Sequence, residues 1–140
     1  FLNRINEQGT RLHELIVDLL QLAQVESGGQ VFELTTVSVR SVVDSVVDEF
    51  SALAFSGNVG LIVEPASEEL LVQADGSALR TIIENLLTNA LKYTPAGGQV
   101  TVAWAREQRH AMISVRDTGV GIPHEHHSRI FERFYVAVQF

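Results

Sequence analysis

Asn85-Leu86-Leu87-Thr88-Asn89-Ala90-Leu91-Lys92-Tyr93-Thr94-Pro95 is the stretch whose reading decides this chain, together with Asp117-Thr118-Gly119-Val120-Gly121-Ile122-Pro123 downstream. The first stretch closes a helical pattern over residues 77–92. Leu79, Ile82, Ile83, Leu86, Leu87 and Ala90 recur at three- and four-residue spacing, which predicts a helix with these side chains facing inward. Pro95-Ala96-Gly97-Gly98 breaks it. Asn85, Asn89 and Lys92 stand at i, i+4 and i+7, so they share one face. Asparagine is a mediocre helix former, and two of them one turn apart call for a reason. An amide oxygen can ligate Mg2+, a hard cation that prefers oxygen. A lysine one turn on can meet a phosphate as a point charge. The same residues also fit an ordinary solvated face, the default for an amphipathic helix.

The second stretch follows a predicted hairpin. Val100–Glu107 and Met112–Arg116 read as strands around a turn at Gln108-Arg109-His110. Asp117 then stands at a strand end, where its carboxylate can accept a hydrogen bond from an exocyclic amine such as that of adenine. Gly119 and Gly121 let the backbone turn tightly and approach a ligand. Aspartate and glycine are also the commonest turn residues, so this loop alone is weak evidence.

Working upstream, Val39, Val42, Val43, Val46, Val47, Phe50, Leu53 and Ala54 form the clearest amphipathic helix, with Ser38 as its N-cap. Asp44, Asp48 and Glu49 fall on its wet face. Residues 31–37 are expected to form a short strand, as are Leu61-Ile62-Val63 and Leu70-Leu71-Val72. Residues 1–26 read as one long helix with a narrow seam of Leu2, Ile5, Leu12, Leu15, Ile16, Leu19, Leu22 and Ala23. Arg11, Asp18 and Glu26 lie off the seam, and Ser27-Gly28-Gly29 ends the helix. Such a helix calls for a neighbour, either another helix or a second copy of itself. Downstream, a short helix is expected near Ser128–Phe134. Mixed helices and strands with one antiparallel hairpin predict an α+β sandwich: a mixed sheet with helices on one face, preceded by a bundle-type helix.

Composition sets bounds on function. Of 140 residues, 46% are hydrophobic and 19% charged, which suits a buried core rather than a disordered chain. A net charge of −7 without a basic stripe argues against nucleic acid. The absence of cysteine rules out disulfides and thiolate metal sites. The apolar runs are too short for a membrane span, so no membrane contact is expected of this segment. The chain lacks an initiator Met and is expected to be part of a longer protein. His124, His126 and His127 admit a metal reading, but their spacing favours a solvated loop. Trp104 reads as core.

Taken together and in order, these stretches resemble a known family. Asn85–Pro95 is similar to the N box of sensor histidine kinases, Asp117–Pro123 to their G1 box, and Ile130-Phe131-Glu132-Arg133-Phe134-Tyr135 to their F box. Arg11-Leu12-His13-Glu14-Leu15-Ile16-Val17-Asp18-Leu19-Leu20-Gln21-Leu22-Ala23 resembles the second helix of the family's dimerisation and phosphotransfer domain. The resemblance covers nearly the whole chain. It implies residues 1–29 as part of that helical domain and 30–140 as an ATP-binding domain with the Bergerat sandwich fold.

The resemblance also implies roles. Asn89 would ligate Mg2+ on the ATP phosphates, and Asn85 and Lys92 would contact the phosphates or the metal shell. Tyr93 would pack near the sugar or base. Asp117 would bind the adenine amino group, with Gly119, Gly121 and Ile122 shaping the pocket. Phe131, Arg133 and Phe134 would begin a mobile lid. Asn85 is the one candidate for a catalytic role. The reaction would be transfer of the ATP γ-phosphoryl group to a histidine and thence to a response regulator, which needs chiefly positioning and charge neutralisation. Residues 1–26 would form a homodimer with a helix outside these residues. The segment would be cytoplasmic, in a parent that can be anchored in the inner membrane.

Two departures matter. His13-Glu14-Leu15 is followed by Ile16-Val17-Asp18 where the family's acceptor motif has Arg-Thr-Pro, so His13 reads as a bundle-side histidine. The second Gly-rich motif of the family is absent, and Val136-Ala137-Val138-Gln139-Phe140 is more apolar than the expected continuation. The 140 residues alone are therefore expected to lack autokinase activity. Two other readings stand beside this one. A hydrolytic ATPase of the same superfamily would carry a carboxylate where Asn85 stands, and Glu84 points about 100° away around the helix. A degenerate dimeric module would bind nucleotide or a partner without catalysis.

Overall fold

The computed structural model describes residues 2–29, 31–64 and 69–132. It divides into two compact units, Phe1–Glu33 and Leu34–Phe140.

The first unit is helix α1, Leu2–Glu26. Its apolar seam is open: Leu12, Leu15, Ile16 and Leu19 are all exposed, while Leu22 is half-buried. Leu2, Ile5 and Arg11 of the sequence reading lie outside the described side chains. The helix stops where expected. The Ser27 amide donates to Ala23 O at 3.0 Å, and Gly28 takes a left-handed φ of 63°.

The second unit runs β1 (Thr35–Ser38), α2 (Val39–Ser56), β2 (Gly60–Val63), β3 (Leu71–Ala74), α3 (Gly76–Tyr93), β4 (Gln99–Glu107) and β5 (His110–Asp117), then a single 3-10 turn at His124–His126. β1 pairs antiparallel with β3. β4 is the centre of a mixed three-stranded sheet, parallel to β2 and antiparallel to β5. This is the α+β arrangement expected from the sequence.

Helices α2 and α3 each begin at a side-chain cap. Ser38 accepts from the Ser41 amide at 3.3 Å and starts α2. Asp75 Oδ1 accepts from the Ala78 amide at 3.0 Å and starts α3. From those starts, Val39, Val43 and Val46 of α2 and Ile83, Leu87 and Ala90 of α3 meet Val100, Val102 and Trp104, alternate residues of β4. The period of 3.6 on the helices and of 2 on the strand thus converge on one core. Full burial of each such aliphatic side chain contributes roughly 1.5–3 kcal/mol. The Trp104 indole N–H is buried without a hydrogen-bond partner among the described residues, and the Arg40 guanidinium lies 5.4 Å from the ring centroid.

Several expectations need correction. Residues 31–34 are not in a strand, because β1 pairs only along the four residues of β3 and has no partner further upstream. Ile82 (56% exposed) and Leu86 (42%) do not face inward. The buried arc of α3 is narrow, and these two lie about 100° around the helix from Ile83 and Leu87. The helix expected at Ser128–Phe134 is instead the 3-10 turn at His124–His126 followed by turns to residue 131, and Phe134 lies outside the described residues. Among the described residues, no helix is long and apolar enough to cross a membrane.

Candidate functional site

The C-terminal turn of α3 and the loop after β5 are held together by backbone. The Val120 amide donates to Tyr93 O at 3.3 Å. Gly119 sits so close to the same carbonyl that a Cβ there would collide with the Tyr93 oxygen and approach Asp117 Oδ1 at 2.7 Å. Gly121 has a different reason to be glycine, a φ of 73° that L side chains rarely adopt. The two glycines seen in the sequence therefore serve one close approach and one left-handed turn.

Asp117 ends β5, opposite Val100 of β4. Its Oδ1 accepts the Gly119 amide at 2.8 Å, while the other carboxylate oxygen has no hydrogen-bond partner among the described residues. The carboxylate is thus oriented by its own loop and keeps one oxygen for a donor from outside. Val120 and Ile122 (49% exposed) are open apolar neighbours in the same loop. His127 Nε2 lies 2.8 Å from Ile122 O, and the His124 and His127 rings sit 5.1 Å apart.

Asn85, Asn89, Lys92 and Tyr93 are all exposed on α3. Helical spacing places Asn85, Asn89 and Lys92 on one face, and Ile82 and Leu86 border them. The Lys92 ammonium lies 5.4 Å from the Tyr93 ring centroid, a cation–π distance. The donor set is of hard oxygen type. Mg2+ keeps several waters and takes much of its coordination from substrate phosphates, so one or two exposed amide oxygens fit that ion. Glu84 is committed elsewhere: Arg80 Nε lies 2.7 Å from its Oε1, and Arg80 also pairs with Glu49 across to α2. The Arg80 pKa is raised, chiefly by the hydrogen bond to Glu49.

Sequence reasoning missed Thr118. Its amide donates to Gln99 O at 3.0 Å and its hydroxyl accepts the Gln99 amide at 2.9 Å, which ties the loop to the start of β4. A hydroxyl directly after a strand was the available signal. Ile130 and Phe131 of the F-box-like stretch are exposed, and Arg133, Phe134 and Tyr135 lie outside the described residues.

Residues 74–139 match the family described as Histidine kinase-, DNA gyrase B-, and HSP90-like ATPase. Sensor histidine kinase RppB of Synechocystis sp. is 34% identical over 134 residues, covering 96% of this chain and 30% of that protein. Full-length ShkA in complex with AMPPNP matches with a TM-score of 0.81 at 28% identity, over 90% of this chain and 27% of that one. Histidine kinase ThkA, in complex with response regulator protein TrrA, has the same fold with a TM-score of 0.83 at 23% identity, over 97% of this chain and 40% of that one. The chain spans about a third or less of the length of the curated relatives it matches.

Proposed function

Since this chain belongs to the sensor histidine kinase family, with its ATPase domain at residues 74–139, we propose that it binds ATP with Mg2+ and supplies the γ-phosphoryl group for transfer to a histidine. The observation that carries this reading is the backbone link from Val120 to Tyr93. It joins the loop after Asp117 to the last turn of the helix bearing Asn85, Asn89 and Lys92, which supports reading a base-recognising and a phosphate-recognising element as one site.

In this reading Asp117 accepts the adenine amino group, Gly119, Gly121 and Ile122 shape the base pocket, and Tyr93 packs near the sugar or base. Asn85 and Lys92 meet the phosphates, and Asn89 holds Mg2+, which when bound neutralises phosphate charge. In the transfer the bond from the γ-phosphorus to the β–γ bridging oxygen breaks, a phosphorus–nitrogen bond to the acceptor imidazole forms, and ADP leaves. The side chains named here position and neutralise, which is most of what such a transfer needs. The pairing of Glu84 with Arg80 supports phosphotransfer over hydrolysis, because the carboxylate next to Asn85 in the chain is already engaged by a guanidinium. The domain division is part of the proposal: residues 1–29 belong to a dimerisation and phosphotransfer domain, and 30–140 to the ATP-binding domain. A response regulator is the proposed downstream partner.

The test is transfer in the full-length parent protein. Labelled ATP should place phosphate on a histidine, with a linkage that acid breaks and base spares, and the label should pass to a response regulator. Release of inorganic phosphate with no phosphohistidine would favour the hydrolytic ATPase reading.

A further inference from the structure

Three consecutive residues after β5 are each fastened to a different element. Thr118 is bonded to Gln99 of β4, Gly119 to the Asp117 carboxylate, and Val120 to Tyr93 of α3. The Gly119 and Val120 links use only backbone amides on the loop side, which nearly any residue supplies. The Thr118 link alone uses a side chain of the loop.

The form of that link is informative. In a regular antiparallel hydrogen-bonded pair the two residues exchange both amide–carbonyl bonds. After the Val100–Asp117 pair, Thr118 stands opposite Gln99. Thr118 gives its amide to Gln99 O in the usual way, but the Gln99 amide goes to the Thr118 hydroxyl and not to its carbonyl. The hydroxyl closes the ladder while the Thr118 carbonyl is released, so the chain can leave the sheet at once. Asp117 is thereby fixed as the last strand residue. Its Oδ1 is turned back to Gly119, and its other oxygen faces a fixed direction.

We propose that Thr118 is a specificity-determining positioning residue: its hydroxyl, through Gln99, aims the second Asp117 oxygen so that the site prefers a purine bearing a 6-amino group. Thr118 acts through Asp117 and touches no part of the base. The proposal rests on the nucleotide reading above.

The experiment compares Mg2+-ATP with purine riboside triphosphate, which has hydrogen in place of the 6-amino group. Affinities are read by amide chemical-shift titration on the full chain, its Thr118→Ser and Thr118→Val variants, with thermal unfolding as a fold control. Thr118→Val keeps the β-branch but leaves the Gln99 amide without its acceptor; Thr118→Ser keeps the acceptor. The parent and Thr118→Ser should prefer ATP. Thr118→Val should lose about tenfold of its ATP affinity with the analogue unchanged, so that the preference collapses. An undiminished preference in Thr118→Val overturns the proposal, and so does an equal loss for both nucleotides, which a merely structural role would give. If Thr118→Val does not fold, Thr118→Ala carries the same comparison with the same outcomes. A parent chain that binds ATP without preferring it refutes the Asp117–adenine assignment, and this proposal with it; a parent that binds neither refutes the nucleotide reading.

Discussion

The amide of Val120 donates to the carbonyl of Tyr93 at 3.3 Å, and Gly119 packs against the same carbonyl with no room for a side chain. A methyl group at position 119 would have to push the loop away from the last turn of α3. Gly119→Ala is therefore expected to destabilise the fold by about 1–3 kcal/mol, the usual range for overpacking. It should also abolish detectable ATP binding. Thermal unfolding and nucleotide titration check the two effects separately, and an unchanged affinity would show that the close approach does not shape the site.

Asp117→Asn separates the two jobs of that side chain. The amide oxygen can still accept from Gly119, so the melting temperature should hardly move. The second acceptor oxygen becomes a donor and faces the adenine amine with the wrong polarity. ATP affinity should fall roughly tenfold or more by calorimetry, in line with loss of one charge-assisted hydrogen bond.

Arg80 of α3 ties that helix to α2 through Glu49 and pairs with Glu84 within α3 itself. Exposed ion pairs are screened and contribute little. Arg80→Met should lower the melting temperature only slightly, and the difference should shrink as salt is added. It should also leave Glu84 unheld beside Asn85. A measurable rise in ATP hydrolysis in this variant would show that the Arg80–Glu84 pair suppresses the hydrolytic reading.

Ile83 is fully buried where α3 meets the core. Ile83→Ala should cost about 2–5 kcal/mol, through lost burial and the cavity left behind. Leu86→Ala, on the exposed border of the candidate site, should cost far less. Denaturant titration of the two variants distinguishes them, and equal losses would contradict the burial described for α3.

The contrast between Ile83 and Leu86 also shows what the sequence could and could not convey. The period of α2 and α3 was legible because each helix buries a stripe against β4. Its width was not, because the arc that is covered depends on where the neighbouring elements stop, and so helical spacing alone turns Ile82 and Leu86 inward. The Gly119–Tyr93 approach was half legible: the glycine signals that a backbone comes near, but not which one. Thr118 passed unnoticed because its partner, Gln99, lies far back in the chain. Asn85, Asn89 and Lys92 were legible as a face, since helical spacing alone sets that. The contact that supports reading this face with the loop after β5, the Val120–Tyr93 bond, is visible only in the fold.

Binding of Mg2+-ATP to the parent chain and to Asn89→Ala tests the central claim most directly. Asn89 is exposed on α3, so the variant should unfold like the parent. Its affinity for ATP should drop by about tenfold or more with Mg2+ present and change little when Mg2+ is withheld. Equal affinity of parent and Asn89→Ala in the presence of Mg2+ would contradict the account.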